Sequence, residues 1–241
     1  FTDENYFFSR VGLIIHALAH FTTLPRTFGS LLHSLGSIEA TLSTANLMRS
    51  TQQTNVHFCF PHYIEQPAPL INAHNFWYAG LKPASAKTNS VTLGNAREAL
   101  NDDQAEDNPL NILITGPNTG GKSTLIRAVL SGALLAQTLC ITPADRMDIT
   151  PFSIYNTSLK AVDKVGEGKS LFHAELDRAN ALLQKNAQAQ QGEKILNGID
   201  EIFSATSPSQ GEACSLAFAQ LLVKNKYSSS IIATRFPKLT S

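Results

Sequence analysis

A glycine-rich segment in the middle of the chain has the residues and the spacing to bind phosphate. The apolar residues 112–115 (ILIT) lead directly into residues 116–124 (GPNTGGKST), and a helical pattern of apolar residues follows. This is the spacing G-x-x-x-x-G-K-[ST] between a strand and a helix, in which backbone N–H groups and the helix dipole attract phosphate oxygens. The residues expected to bind a nucleotide are Gly116, Pro117, Asn118, Thr119, Gly120, Gly121, Lys122, Ser123 and Thr124.

Two side chains of this phosphate loop and two later acidic residues predict chemistry on the bound phosphates. Lys122 is expected to reach the β- and γ-phosphates, and the Ser123 hydroxyl is expected to complete a Mg²⁺ shell. Asp200 and Glu201 follow a mainly apolar stretch. We expect Asp200 to hold Mg²⁺ through its water shell and Glu201 to act as the general base on the attacking water.

The elements that must position these residues follow from local patterns. Apolar residues at three- and four-residue spacing predict helix from residue 5 to about 50, and strands and loops are expected after it. We expect a domain boundary near residue 70, with a helical connector over residues 1–70 and an α/β domain over 71–241. Asn197 and Gly198 interrupt a stretch that should be continuously apolar if it forms a buried parallel strand.

Composition favours a globular protein and excludes several classes. The 241 residues are 43% hydrophobic and 16% charged, which does not fit a disordered polyelectrolyte. Lys and Arg number 19, as do Asp and Glu, so no excess positive charge indicates nucleic acid or an anionic membrane as a direct partner. The three cysteines fit no disulfide framework, which favours a cytoplasmic protein, and we expect Cys140 and Cys214 to be buried. No apolar run is long enough to span a bilayer, and the start at Phe1 predicts a fragment of a longer protein.

Five motifs, in this order, resemble the ATPase domain of the MutS family of DNA mismatch-repair proteins, within the ABC-type ATPases. They are TGPNTGGKST (115–124), GKSLFHAE (168–175), DEI (200–202), TSPSQG (206–211) and ATRFPKLT (233–240). The resemblance implies an α/β P-loop fold with a central mixed sheet flanked by helices, and ATP and Mg²⁺ as ligands. It also implies ATP hydrolysis coupled to conformational change on DNA through the parent protein, and a second MutS-like subunit as partner.

The resemblance also implies roles for individual residues. Asn118 would touch the γ-phosphate or its attacking water, and Ser170 would reach the nucleotide bound by the other subunit, in trans. Residues 206–211 would signal between the two nucleotide sites. Arg235 stands where the family usually has His. An Arg can contact phosphate, but it cannot titrate near neutral pH.

Two alternatives stay open at this point. The family usually stacks an aromatic ring on adenine near residues 88–90, where this chain has Ala86 and Lys87. The aromatic residues nearby, which are either substitutes or core residues, are Phe76, Trp77 and Tyr78. The alternative to ATP hydrolysis is a nucleotide-binding regulatory or dimerisation module with little or no hydrolysis, motivated by Arg235 and by the polar interruption before Asp200. The parent's role in mismatch repair or in recombination is equally open.

Overall fold

The computed structural model describes residues 10–95, 108–117, 120–159, 171–189 and 192–236. The chain divides into two units, Phe1–Arg49 and Ser50–Ser241. The division into domains over 1–70 and 71–241 remains a prediction. No helix within the described ranges is both long and apolar enough to cross a membrane.

The first unit consists of one long helix, which confirms the helix predicted from residue 5 to about 50 over its described part. This helix, α1, is Arg10–Ser50. It tolerates several hydroxyl residues because their side chains bond within the helix. The hydroxyls of Ser34, Ser37, Thr41 and Thr44 each donate to the carbonyl oxygen four residues earlier.

The second unit contains a mixed sheet built from the first half of the sequence and one later strand. Its strands are β1 (His62–Tyr63), β2 (Ile71–Phe76), β3 (Asn89–Leu93) and β5 (Arg146–Ile149), in the order β1-β5-β2-β3. β2 is antiparallel to both β3 and β5, whereas β1 is parallel to β5. A single 3-10 turn, Pro83–Ser85, connects β2 to β3.

A parallel sheet forms the other half of this unit and carries the predicted site. Its strands are β4 (Asn111–Ile114), β8 (Ser228–Ala233), β7 (Ile195–Asp200) and β6 (Ile154–Ser158), in the order β4-β8-β7-β6. The helices between them are α2 (Lys122–Leu139), α3 (Leu171–Gln188) and α4 (Pro208–Leu222). The predicted α/β class is confirmed. The single central mixed sheet is corrected to two sheets, because β5 pairs with β1 and β2 instead of with the parallel strands.

Apolar residues cover both faces of the parallel sheet. On one face, α2 packs against β7 and β8 and also contacts β2 of the mixed sheet, so that one core serves both sheets. On the other face, α3 and α4 cover β7 and β8 with Leu182, Phe218 and Leu222. Parallel sheets are usually covered on both faces, because the helices that connect their strands pack on both sides.

Asn197 and Gly198 do not interrupt β7, where all six residues are buried. Asn197 is fully buried, but its amide bonds to the side chains of Asn156, Asn186 and Ser230. A satisfied amide is tolerated in a core, because its hydrogen bonds offset the loss of water. The strand therefore continues without a break up to the acidic pair.

The predicted burial of the two cysteines is not what the structure shows. Cys140 is exposed, because it ends α2 in a left-handed conformation with φ 55° at the surface. Cys214 is half-buried. Of the aromatic residues before the mixed sheet's turn, Phe76 and Trp77 belong to the core and Tyr78 is half-buried.

Candidate nucleotide-binding site

Three strand ends of the parallel sheet meet at the edge where the predicted site residues lie. Ile114, the last residue of β4, pairs with Ala233 at the end of β8, and Ala233 pairs in turn with Asp200 at the end of β7. The N–H of Thr234 donates to the Ile114 carbonyl, and the N–H of Glu201 donates to the Ala233 carbonyl, each at 3.0 Å. The structure thus brings the phosphate loop and the acidic pair together.

Two glycines of the phosphate loop have backbone conformations that other residues rarely adopt. Gly116 has φ 148° and Gly121 has φ 82°, and a Cβ atom at either position would meet none of the described residues within 4 Å. Glycine is therefore favoured here by conformation, and the space beside the backbone stays open. The N–H of Gly120 donates to the Pro117 carbonyl at 2.9 Å. Asn118 and Thr119 lie outside the described residues.

Lys122 is buried at the start of α2 and is held by both its own loop and the acidic pair. Its Nζ donates to the carbonyl oxygens of Gly116 at 2.7 Å and Pro117 at 3.0 Å. The same Nζ lies 3.7 Å from Oε1 of Glu201, and these two side chains are 5% and 8% exposed. The predicted phosphate-binding cation and the predicted general base therefore form an ion pair within one site.

Asp200 has the features of a group that would help to hold a metal ion. It is only 5% exposed, and its Oδ1 atom is buried without a hydrogen-bond partner in the described part of the chain. A buried carboxylate oxygen normally has a partner, so this atom would fit beside a bound cation. Ser123, half-buried in the first turn of α2, offers a hydroxyl. Carboxylate and hydroxyl oxygens are hard ligands that fit Mg²⁺, which usually binds a few protein groups together with phosphates and water.

The segment that begins at Glu201, residues 201–206, has an uncommon backbone conformation and is bound by a side chain of α3. Glu201 has φ 49° and Phe203 has φ 60°. Glu175 on α3 accepts hydrogen bonds from the backbone N–H groups of Ser204 and Ala205 and from the Ser204 hydroxyl, at 3.1 to 3.2 Å. Glu175 ends the GKSLFHAE motif, but no pattern in the sequence predicts these contacts.

Arg235 bonds to the same segment. Its Nη2 donates to the Ser204 carbonyl oxygen at 2.7 Å, and its guanidinium lies 5.4 Å from the ring centre of Phe236. Contact between Arg235 and a nucleotide stays a prediction. Ser170, predicted to act in trans, lies outside the described residues, directly before the first residue of α3.

A cleft of about 500 Å³ extends from the phosphate loop to the mixed sheet. One end is lined by Gly116, Gly121 and Lys122, and the other by the segment between β2 and β3, which includes Tyr78 and Leu81. This volume lies within the range of pockets that bind small organic ligands. The glycine-rich loop and an apolar surface thus line one continuous cleft.

Fold and site together define an α/β protein with a glycine-rich loop, a buried lysine and an acidic pair at one edge of a parallel sheet. The family model described as MutS domain V matches residues 112–241. This match covers more than half of the chain, and the chain belongs to the MutS family.

Two curated relatives agree with this assignment. The chain is 29% identical over 175 residues to DNA mismatch repair protein MSH7 of Arabidopsis thaliana, across 71% of this chain and 15% of that protein. It is 31% identical over 128 residues to DNA mismatch repair protein Msh3 of Dictyostelium discoideum, across 53% of this chain and 9% of that protein. The chain therefore corresponds to a small part of each relative.

Proposed function

We propose that this chain binds and hydrolyses ATP, as the ABC-type ATPase domain of a MutS-like protein that changes conformation on DNA. The observation that carries the proposal is the meeting of a glycine-rich loop, a buried Lys122 and the pair Asp200 and Glu201 at one sheet edge. Lysine beside a phosphate loop and carboxylates beside the attacking water are the groups that nucleotide hydrolysis requires. Membership of the MutS family and the names of the relatives support the role on DNA.

In the proposed reaction, water attacks the γ-phosphorus of ATP and the bond to the bridging oxygen breaks, which releases ADP and phosphate. Glu201 accepts the proton of the attacking water. Lys122 binds the β- and γ-phosphate oxygens, and Asn118 contacts the γ-phosphate or the attacking water. Ser123 and Asp200 would hold Mg²⁺, which supplies further neutralisation of phosphate charge when it is bound.

The contacts of Lys122 suggest what ATP must change on binding. The ammonium has three hydrogens and bonds to two loop carbonyls, with Glu201 nearby. Phosphate oxygens are stronger acceptors than carbonyls, so ATP would draw the ammonium away from these partners. Glu201 would then be available to bind the attacking water. The ion pair would thus be exchanged for contacts with substrate.

The adenine base is proposed to bind at the mixed-sheet end of the cleft. Trp77 is an unsuitable platform, because it is 2% exposed and its indole N–H donates to the His57 carbonyl. Tyr78 is half-buried and lines the cleft together with Leu81. An aromatic ring at this position can stack on a base without displacing core residues.

A complete site is proposed to need a second MutS-like subunit. Ser170 would contribute to the nucleotide bound by the other subunit, so a single chain would provide only part of the groups around the γ-phosphate. Losing one positioned group of this kind typically lowers the rate by orders of magnitude. We expect the isolated chain to be mainly monomeric, to bind ATP, and to hydrolyse it slowly. Its activity per molecule should rise with protein concentration, and Ser170→Ala should reduce that rise.

The regulatory module remains the second candidate function. One of the two observations that favoured it, the polar interruption before Asp200, no longer applies, because β7 is continuous through Asn197 and Gly198. The other observation still applies, because Arg235 is present in place of the usual His and bonds to Ser204. A regulatory module would bind ATP with little or no phosphate release at any protein concentration.

The proposal is tested by measuring ATP binding and phosphate release on the same preparations. Equilibrium dialysis with ATP and Mg²⁺ should show binding by the wild type and a loss of at least about tenfold in Lys122→Met, since a charge-assisted hydrogen bond is removed. Lys185→Met is the matched control, because Lys185 is an exposed lysine near the end of α3. Equal affinities for ATP in all three proteins would refute the site. Binding without any phosphate release would favour the regulatory module.

A further inference from the structure

The segment 201–206 places the proposed general base, yet its own conformation is unfavourable. Glu201 and Phe203 both have positive φ angles, 49° and 60°. A bulky residue such as Phe rarely adopts this conformation, because its Cβ atom crowds the backbone. Such a conformation persists only where surrounding contacts hold it, and it is often found at functional sites. The contacts that hold this segment are therefore candidates for a role in catalysis.

Ser204 is held at both of its backbone polar groups. Its N–H donates to Glu175 Oε1 at 3.1 Å, and its carbonyl accepts from Arg235 Nη2 at 2.7 Å. The Ser204 hydroxyl also donates to Glu175 Oε1, and the Ala205 N–H donates to Glu175 Oε2. Both carboxylate oxygens of Glu175 are thus used on two adjacent residues. Hydrogen bonds to a charged group are stronger than neutral ones, so this is a firm attachment.

Further contacts of the segment come from α4. The Ser215 hydroxyl donates to the Ile202 carbonyl at 3.3 Å. Gly211 lies so close that a Cβ atom there would be 2.7 Å from the Phe203 carbonyl oxygen. The helix α4 therefore restricts the movement of residues 202 and 203, while Glu175 and Arg235 hold the residues that follow them. Movement of Ser204 would be transmitted through two residues to Glu201.

We infer that Glu175 and Arg235 are positioning residues, which hold the 201–206 segment in the strained conformation that keeps the Glu201 carboxylate beside Lys122. This inference rests on the proposed function, because it concerns the placement of the proposed base. It gives Arg235 a role that does not require a contact with phosphate. It also means that a residue of α3, a helix distant from the phosphate loop in the sequence, helps to position the proposed base.

The test compares Glu175→Gln with the wild type and with Asp177→Asn. Glu175→Gln keeps the length of the side chain but removes its charge and one of its two acceptor oxygens. Asp177→Asn removes one carboxylate charge from an exposed position on the same helix and serves as the control. Two kinds of measurement are made on each protein. The first gives the exchange rates of the Ser204 and Ala205 amide hydrogens, and the second gives phosphate release at saturating ATP together with the dissociation constant for ATP.

In Glu175→Gln we expect amide exchange at Ser204 and Ala205 to accelerate at least tenfold. We expect phosphate release to fall by at least about tenfold, with the ATP dissociation constant changed less than about twofold. Asp177→Asn should match the wild type in both measurements. A merely structural role would change binding and turnover together. Unchanged exchange at the two amides, or an unchanged rate of phosphate release, would overturn the inference.

Arg235→Met provides a second variant if Glu175→Gln does not fold. It removes the donor to the Ser204 carbonyl and should produce the same split between turnover and binding. Because both side chains act on Ser204, the two substitutions combined should cost less than the product of their separate effects. If the wild type binds no ATP, the proposed function fails, while amide exchange still decides whether Glu175 and Arg235 hold the segment. If it binds ATP without turnover, amide exchange alone decides.

Discussion

Replacing Lys122 with Met should destabilise the fold as well as weaken nucleotide binding, because its ammonium lies beside a buried carboxylate. Lys122 Nζ and Glu201 Oε1 are 3.7 Å apart, and the two side chains are 5% and 8% exposed. At an effective dielectric constant of about 20, unit charges at 3.7 Å attract each other by about 4.5 kcal/mol. Desolvation of both groups offsets much of this attraction. Removal of one partner nevertheless costs about 3–5 kcal/mol in typical buried pairs, because the remaining charge is then poorly compensated.

Replacing the other partner of the ion pair, Glu201, should cost less stability. In Glu201→Gln the ammonium keeps two carbonyl acceptors, those of Gly116 and Pro117. We expect the free energy of unfolding to fall by about 3 kcal/mol in Lys122→Met and by about 1 kcal/mol in Glu201→Gln. The double variant should lose less than the sum of the two, because neither charge is then left buried without the other.

Urea denaturation of these four proteins, followed by circular dichroism without nucleotide, measures the coupling directly. Nucleotide is left out because a ligand that binds the native state adds its own stabilisation. We expect a coupling energy of at least about 1 kcal/mol. The exposed-lysine control, Lys185→Met, should stay within about 0.5 kcal/mol of the wild type. A coupling energy near zero would refute the reasoning, since it would mean that the two charges do not stabilise each other.

Three further predictions follow from other parts of the structure. Glu201→Gln should bind ATP with an affinity within about threefold of the wild type and lose hydrolysis by about 10²-fold or more, as measured by dialysis and phosphate release, because Gln cannot accept the proton. Gly198→Ala should lower the free energy of unfolding in urea by about 1–3 kcal/mol, since its Cβ atom would lie 2.4 Å from Leu130 Cδ1. Burial, with help from nearby carboxylates, raises the pKa of Cys59 to about 11. At pH 8 about one Cys59 thiol in a thousand is deprotonated, so its alkylation, followed by mass spectrometry, should be far slower than that of exposed Cys140 and should accelerate about tenfold per pH unit towards pH 11.

The glycine-rich loop between β4 and α2 could be predicted from the sequence because all of its information is local. Nine consecutive residues contain the glycines, Lys122 and Ser123, and the flanking apolar patterns define the strand and the helix. The long helix α1 is equally local, since its apolar spacing is visible in any window of the sequence. The role of Asp200 and Glu201 needed one more assumption, namely that their strand ends at the same sheet edge as the loop. The register of β4, β8 and β7 agrees with that assumption.

Features that depend on distant pairing could not be predicted in the same way. No local pattern indicates that β8 lies between β4 and β7, or that β5 joins a second sheet. The attachment of Glu175 to Ser204 joins residues 29 positions apart. Its only sequence signal is a carboxylate at the end of the motif 168–175, where a solvated side chain is the ordinary expectation. The exposure of Cys140 depends on how α2 ends, and helix boundaries are the least certain part of a sequence interpretation.

Asn197 and Gly198, just before the acidic pair, show why the apolar pattern expected of a buried strand is not a sufficient guide near a site. Asn197 and Gly198 depart from the apolar pattern of a buried strand, yet each has a partner that the sequence alone does not identify. Asn197 bonds to neighbouring polar groups, so its burial leaves the strand intact. Gly198 lets α2 approach β7 closely, because any side chain there would meet Leu130. The same helix begins with Lys122, and the same strand leads into Glu201. The close packing of helix on strand therefore helps to set the distance between the proposed phosphate-binding cation and the proposed base.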